Sequence, residues 1–226
     1  MAETKNTKGA PVASEHNQQE ALILKYKNLI IGVVCALIVC VGVGFFVKNC
    51  TTEQFNTAST DMAKAQEYFS RAIINGDSAL FQKALNGDSI NAGFVAAAEQ
   101  GGKPGNLAKL YAGLCYAQLG QMQEAANYLE QFDGVGDEMI SPAALGALGN
   151  VKAALGQLDE AVATLVKAAE KADNNTLSAQ FLIQAGEILE SQGKKEDALK
   201  LYEQIKAKYV NSSQYRNIDA YIERCK

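Results

Sequence analysis

The sequence contains no tryptophan, only three prolines and a single histidine, His16. Because His16 lies near the N-terminus, the chain after residue 50 has no histidine, which excludes Ser-His and Cys-His catalytic pairs and histidine-ligated metals there. The abundance of alanine, leucine, glutamine, glutamate and lysine favours helix over sheet. We therefore expect an all-α protein without catalytic chemistry, and we predict no metal and no cofactor.

The five cysteines form no C-x-x-C pair. Cys35 and Cys40 lie in an apolar run, Cys115 is expected to be buried in a helix, and Cys50 and Cys225 are expected to be exposed. This spacing matches neither a zinc site nor a disulfide framework. The sequence leaves open whether Cys50 or Cys225 forms a disulfide. A thiol-dependent enzyme using either of them is the remaining catalytic hypothesis.

Positive charge is too scarce for nucleic-acid binding. Residues 51–226 carry 16 basic against 22 acidic side chains, and residues 1–28 carry 4 lysines and 3 glutamates. This composition offers no basic face that could neutralise several phosphates. The glycines at Gly101–Gly105 also lack the spacing of a phosphate-binding loop. We therefore expect neither nucleic acid nor a small-molecule substrate as a partner.

Residues 29–47 form a run of 19 residues without a charged side chain. A helix of this length spans roughly the 30 Å hydrocarbon core of a bilayer, so the run predicts a single transmembrane helix. The alternative is a cleaved signal peptide, but the run exceeds the usual apolar region and no A-x-A-like site follows it. Because Lys25 and Lys27 precede the run, the positive-inside rule predicts a cytoplasmic N-terminus and an extracytoplasmic C-terminal part.

Two further features concern this N-terminal region. Residues 1–28 lack apolar periodicity and predict a disordered cytoplasmic tail. Small side chains recur at every fourth position of the predicted transmembrane helix and share one face: Gly32, Ala36, Cys40 and Gly44. Such a face can pack closely against another transmembrane helix. The alternative is that glycine is simply frequent in membrane spans.

A pattern of small residues occurs three times, at intervals of 36 and 37 residues. Each block begins with one glycine, ends with another seven residues later, and is followed by an alanine. The three sets are Gly113, Gly120 and Ala125; Gly149, Gly156 and Ala161; and Gly186, Gly193 and Ala198. The first glycine and the alanine indicate a close crossing of antiparallel helices, and the second glycine indicates a helix end with a left-handed residue. The pattern predicts three helical hairpins.

With Tyr116 retained in the first block, the three blocks resemble tetratricopeptide-repeat (TPR) motifs over about Asn106 to Tyr209. The period of the family is about 34 residues, and longer connections at Asp133 to Ile140 and Lys171 to Thr176 accommodate the additional residues. The resemblance implies an all-α TPR solenoid of helical hairpins, here preceded by a single transmembrane helix. It also implies a role in binding other proteins.

The predicted organisation has four segments: a tail (1–28), a transmembrane helix (29–47), a helical N-terminal part (48–105), and three TPR-like repeats with a C-terminal capping helix (106–226). In the N-terminal part we predict a hairpin from Thr57 to Asn75 and Ser78 to Leu85, then a short helix from Asn91 to Gln100 and a break at Gly101–Gly105. Whether this part is a degenerate repeat stays open.

Two local signals mark helices in the repeat region. Ser141 and Pro142 are expected to begin the second repeat as N-cap and first-turn proline. Ile218, Tyr221 and Ile222 have the spacing of an amphipathic helix that would cap the solenoid.

In a TPR solenoid, the first helix of each pair lines the concave surface, where a peptide or a partner helix can bind. Transferred to this chain, the candidate positions are Leu110, Leu114, Gln118, Asn150, Glu187 and Glu190. TPR domains that grip a C-terminal carboxylate place lysine, arginine and asparagine on this surface. Because this chain has Leu110, Leu114 and Ala147 there instead, we do not expect such a clamp on the concave face.

The order of a short tail, one span and a TPR region resembles membrane-anchored periplasmic TPR proteins of the YfgM type, which accompany the Sec translocon and periplasmic chaperones. The resemblance implies a single-pass protein of the bacterial inner membrane with its C-terminal domain in the periplasm. Its implied partners are membrane-complex subunits, chaperones or secretory clients. The alternative is an adaptor for cell-envelope assembly or division that recruits envelope enzymes.

Overall fold

The computed structural model describes residues 59–226. The predicted tail and the predicted transmembrane helix at residues 29–47 lie outside the described residues, as do the small side chains of that helix: Gly32, Ala36, Cys40 and Gly44. Among the helices of residues 59–226, none has the length and apolar character needed to cross a membrane.

The described residues form ten α-helices and one short 3-10 helix. In chain order they are α1 (59–75), α2 (Ser78–Asn86), α3 (Phe94–Glu99), α4 (Gly102–Gln118), α5 (Met122–Glu130), α6 (Ile140–Ala154), α7 (Leu158–Ala172), α8 (Ser178–Ser191), α9 (Lys195–Lys208), the 3-10 helix (Gln214–Asn217) and α10 (Ile218–Cys225). The β-type pairing in this part is an isolated bridge between Gly87 and Ala92. The predicted all-helical, TPR-like fold class is therefore confirmed for the described residues.

The helices pack mainly against their neighbours in the sequence. The pairs α4 and α5, α6 and α7, and α8 and α9 are the three hairpins that the small-residue pattern predicted. Contacts of α5 with α6 and of α7 with α8 stack one hairpin on the next, and α10 packs against α9. The result is a helical solenoid in which each hairpin buries the apolar face of the one before it.

The turn inside each hairpin depends on a left-handed glycine. Gly120 has a φ of +77°, and its N–H donates to the Ala117 carbonyl over 3.1 Å while the N–H of Gln121 donates to the Tyr116 carbonyl over 2.9 Å. These two bonds form a Schellman motif, which ends α4 and satisfies its last carbonyl groups. Gly156 and Gly193 end α6 and α8 with the same pair of bonds.

The close crossing of each hairpin places a large side chain of the second helix directly over a glycine of the first. A Cβ atom at Gly149 would lie 2.7 Å from Cγ of Leu165, and one at Gly113 would lie 2.6 Å from Cγ of Leu129. Gly186 is covered in the same way by the ring of Tyr202. The glycines therefore make room for the large side chains that fill the core of each repeat, and not only for the small alanines.

The structure corrects the predicted break at Gly101–Gly105, because α4 already begins at Gly102. Pro104 is compatible with this early start, since the N–H groups of a first helical turn have no partner within the helix. Gly105 allows the backbone of α3 to approach, because a Cβ atom there would lie 3.0 Å from the Ala97 carbonyl oxygen. Gly105 thus serves close packing between α3 and α4, whereas Gly101 and Gly102, with φ of +71° and +66°, turn the backbone where α4 begins.

The prediction that Ser141 is the N-cap of the second repeat is wrong. Helix α6 begins at Ile140, and the side chain of Asp137 accepts hydrogen bonds from the N–H groups of Met139 (2.7 Å), Ile140 and Ser141 (3.1 Å). The Ser141 hydroxyl donates to Asp137 over 2.8 Å and accepts from the N–H of Val135 over 2.9 Å. A single carboxylate therefore satisfies the first N–H groups of α6, and Ser141 supports it from inside the helix.

Cys225 is buried, contrary to the exposure predicted for it. It follows Ile218 and Ile222 at helical spacing, and all three side chains pack in the apolar cluster that α8 and α9 share with α10. Cys115 is buried as predicted, and both cysteines have free thiols. Cys50 lies outside the described residues.

The close crossing at Gly149 can be tested by substitution. An alanine there collides with Leu165, and we expect the free energy of unfolding to fall by about 1–3 kcal/mol, the usual cost of overpacking a core. In a Leu165→Ala background the same change should be neutral or stabilising, since alanine favours a helix over glycine by about 1 kcal/mol. Urea unfolding of the four proteins measures both effects, and an equal loss in the two backgrounds would contradict this crossing.

The cap of α6 predicts a pH-dependent stability. Partial burial raises the pKa of Asp137, but hydrogen bonds from the Ser141 hydroxyl and from three backbone N–H groups outweigh it and lower this pKa to about 2. The carboxylate therefore stabilises the fold above its ordinary pKa, near 4, and loses this effect as the pH falls towards 2. Thermal melts should show Asp137→Ala about 2–4 °C less stable at pH 7 and similar to the parent near pH 2.

Asp133→Ala is the matched control, because the side chain of this loop residue caps no helix. It should melt like the parent protein at both pH values. A deficit of Asp137→Ala that is the same at pH 7 and pH 2 would refute the assignment of Asp137 as the cap.

Candidate functional site

A large apolar recess of the described part is a groove of about 360 Å³ formed by α1, α4 and α6. We call it the apolar groove, and its lining consists of Phe69, Leu107, Leu110, Tyr111, Leu114, Ile140, Ala143 and Ala144. The side chains from α4 recur at helical spacing and so share one face of that helix. The groove therefore runs across α4 and α6, the first helices of two repeats, and α1 of the N-terminal part.

An aromatic cluster holds the wall of the groove in place. The ring of Tyr111 stacks on Phe94 at 5.1 Å and meets Phe69 edge to face at 5.2 Å. Phe69 also contacts the ring of Phe81 edge to face at 5.9 Å. These contacts tie α1, α2, α3 and α4 together, so the wall of the groove is formed before any ligand arrives.

The groove has no charged lining. All eight lining side chains are apolar or aromatic, and the edge carries exposed apolar side chains, with Ile140 42% and Met139 51% accessible. Ile73, which follows Phe69 by one helical turn on α1, is 51% accessible. Exposed apolar side chains next to an uncharged recess are typical of a surface that another macromolecule covers.

The structure brings together only part of the candidate binding residues. Leu110 and Leu114 line the apolar groove, Leu110 as a buried and Leu114 as a half-buried side chain. Gln118 and Asn150 are exposed on α4 and α6, outside this lining.

Glu187 and Glu190 lie beside the C-terminal helix instead. Glu190 accepts hydrogen bonds from the Arg224 guanidinium over 2.8 Å and from the Tyr202 hydroxyl over 2.5 Å. Burial opposes ionisation of Glu190, but these two bonds outweigh it and lower its pKa. Glu187 is exposed near Tyr221. Glu190 is therefore engaged by Arg224 of α10. The acidic candidates Glu187 and Glu190 thus lie apart from Leu110 and Leu114, which line the apolar groove.

Six groove residues were not among the candidates: Phe69, Leu107, Tyr111, Ile140, Ala143 and Ala144. The spacing of Leu107, Tyr111 and Leu114 on one helix could have indicated two of them. Ile140 was assigned to a connection, although it begins α6. Phe69 lies in the N-terminal part, where the repeat pattern is too weak to align, so sequence reasoning had no position to assign to it.

The described residues offer little for catalysis. Within residues 59–226, no three histidine, cysteine, aspartate or glutamate side chains are grouped so that they could hold a metal ion. Burial raises the pKa of the Cys115 thiol to about 12, which leaves it protonated and unreactive at neutral pH. What the site can provide is a preformed apolar surface for another molecule.

Stacked helical hairpins with an open apolar groove define the class of helical-repeat proteins, which typically act as non-catalytic scaffolds. A family model described as a tetratricopeptide repeat-like domain matches residues 25–221, and the chain belongs to this family. Membership of this family supports a role in protein–protein interaction.

Solved structures agree with this fold. The nearly identical TPR-like repeats of a Podosopora anserina kinesin light chain match with a TM-score of 0.53 and 16% sequence identity, over 74% of this chain and 84% of that chain. A single-substitution variant of the same protein matches equally well. At this identity the likeness concerns the fold alone. No curated protein matches the chain.

Proposed function

We propose that this chain is a protein-binding scaffold whose apolar groove receives an uncharged, apolar segment of a partner polypeptide. The observation that carries the proposal is the lining of the groove, which contains no charged side chain although one fifth of all residues are charged. A ligand with a charge in this place would lose hydration without gaining a counter-ion, so the groove selects against charged segments. An apolar helix or an extended apolar strand meets its requirements.

We further propose that residues 29–47 anchor the scaffold in the bacterial inner membrane, with the N-terminus in the cytoplasm and the TPR part in the periplasm. The 19-residue uncharged run and the two lysines before it support this topology. The family match also begins at residue 25, so it includes the run. The run therefore belongs to the segment that this chain shares with its family.

In this setting the scaffold would assist protein translocation or periplasmic chaperoning. Polypeptides that emerge from a translocation channel expose apolar segments before they fold, and such segments are the ligands that an uncharged groove suits. The alternative is a cell-envelope assembly or division adaptor. Exporting the TPR part without residues 1–47 separates the two proposals, because only a translocon-bound scaffold requires the span to stay near its partners.

Photocrosslinking from the edge of the groove tests the binding proposal. A benzoylphenylalanine at position 140, in the full-length protein in native membranes, should capture membrane-complex subunits, chaperones or secretory clients. Adding Leu114→Glu should reduce the yield at least tenfold, since the partner would have to bury an unpaired carboxylate. Gln123→Glu, an equal charge change at an exposed position of α5, should leave the yield unchanged. Equal yields from all three proteins would refute the role of the groove.

Thiol labelling tests the topology. Because Cys115 and Cys225 are buried, Cys50 is the thiol after the span that a polar reagent should reach. A membrane-impermeant maleimide added to intact cells of a Gram-negative bacterium should label the protein, and Cys50→Ser should abolish this labelling. Labelling that occurs only after the inner membrane is opened would place residue 50 in the cytoplasm and overturn the proposed orientation.

A further inference from the structure

A second, smaller cavity of about 120 Å³ lies between α5, α6 and α7. Its apolar side chains include Leu129, Phe132 and Leu148, whereas Lys167 and Lys171 of α7 also line it. We call it the lysine pocket. It shares only Ala144 with the lining of the apolar groove, so the two are separate sites.

The two lysines of this pocket have no counter-ion among residues 59–226. They lie one helical turn apart on α7, both are exposed, and neither forms a salt bridge within this part of the chain. Like charges at this spacing repel each other. The ammonium group of Lys171 is held close to the loop before α6, 2.9 Å from where a Cβ atom of Gly134 would lie. An anion at this place would relieve the repulsion.

The acidic residues of the adjoining segments do not fill this role. Asp133, Glu138 and Glu170 are exposed, and none of them forms a salt bridge with either lysine. Asp137 is occupied by the Ser141 hydroxyl and by the first N–H groups of α6. The positive charge of the pocket is therefore available to a ligand.

We propose that the lysine pocket binds an aliphatic carboxylate, with the aliphatic group in the cavity and the carboxylate against Lys167 and Lys171. The size of the cavity limits the apolar group, because an apolar cavity of about 150 Å³ accommodates one benzene molecule. A branched aliphatic group the size of a leucine side chain fits 120 Å³, whereas an indole does not. Two sources offer this chemistry: the C-terminal leucine, isoleucine or valine of a polypeptide, and a free branched-chain acid.

Ligand-observed NMR on the full-length protein in nanodiscs tests the proposal. N-acetyl-leucine, which represents a chain terminus, and 4-methylpentanoate, which represents a free acid, are compared directly, and the tighter of the two identifies the source. We expect a dissociation constant in roughly the millimolar range for a ligand this small. N-acetyl-leucinamide and N-acetyl-tryptophan should bind at least about tenfold more weakly, because the first lacks the charge and the second exceeds the cavity.

The lysine dependence is tested with matched variants. Lys167→Met with Lys171→Met should weaken binding of the carboxylate roughly tenfold, the combined effect of two exposed ion pairs. Raising the ionic strength from about 20 to about 500 mM should weaken it in the parent protein and much less in this variant. Lys83→Met with Lys103→Met makes the same charge change at lysines outside the pocket and should have no effect.

Three results would overturn the proposal. The first is no binding of either carboxylate up to roughly 50 mM, a far weaker affinity than small ligands of this kind usually reach. The others are equal binding of N-acetyl-leucine and its amide, and unchanged binding in the variant without Lys167 and Lys171. None of these results depends on the apolar groove. A failure of the crosslinking experiment therefore leaves this inference standing, and the reverse also holds.

Discussion

The structure depends on one repeated contact, in which a large side chain of the second helix of a hairpin lies directly on a glycine of the first. The contact recurs at Gly113, Gly149 and Gly186, and in each case a Cβ atom would overlap the covering side chain. Because backbone and side chain meet without a gap, the two helices bury a continuous apolar face, and dispersion forces act over the whole crossing. The buried residues form successive clusters along the chain, so each hairpin is stabilised mainly by its neighbours.

The long connections between repeats join the hairpins a second time. The side-chain amide of Asn174 donates to the Glu138 carbonyl over 3.3 Å, and the side chain of Asn175 accepts from the N–H of Asn211 over 3.3 Å. In both pairs the partners are 36 residues apart, which is the length of one repeat. The residues by which this repeat exceeds the usual TPR period are thus used for contacts between equivalent loops. Together with the helix crossings, they limit how far the hairpins that they join can rotate against each other.

The two ends of the solenoid differ in what they leave exposed. At the C-terminal end, α10 covers the last hairpin with Ile218, Ile222 and Cys225, and Arg224 pairs with Glu190. At the N-terminal end, the groove remains open between α1, α4 and α6. A capping helix with a polar outer face prevents further stacking. The open apolar groove therefore lies away from the capped end of the described helices, where a partner can reach it.

The amino-acid pattern alone determined the helical class, the three hairpins and the left-handed turns at Gly120, Gly156 and Gly193, because these depend on contacts within one helix or between the two helices of one hairpin. It also indicated Leu110 and Leu114, since they belong to a helix that the repeat pattern aligns. Only the tertiary structure decided that Asp137 and not Ser141 caps α6, that Cys225 is buried, and that Phe69 completes the groove. The burial of Cys225 and the place of Phe69 depend on packing between segments far apart in the chain, which no local spacing encodes. The cap of α6 is a local contact within residues 137–141, but which of the two side chains forms it depends on where the helix begins, and the structure places that start at Ile140.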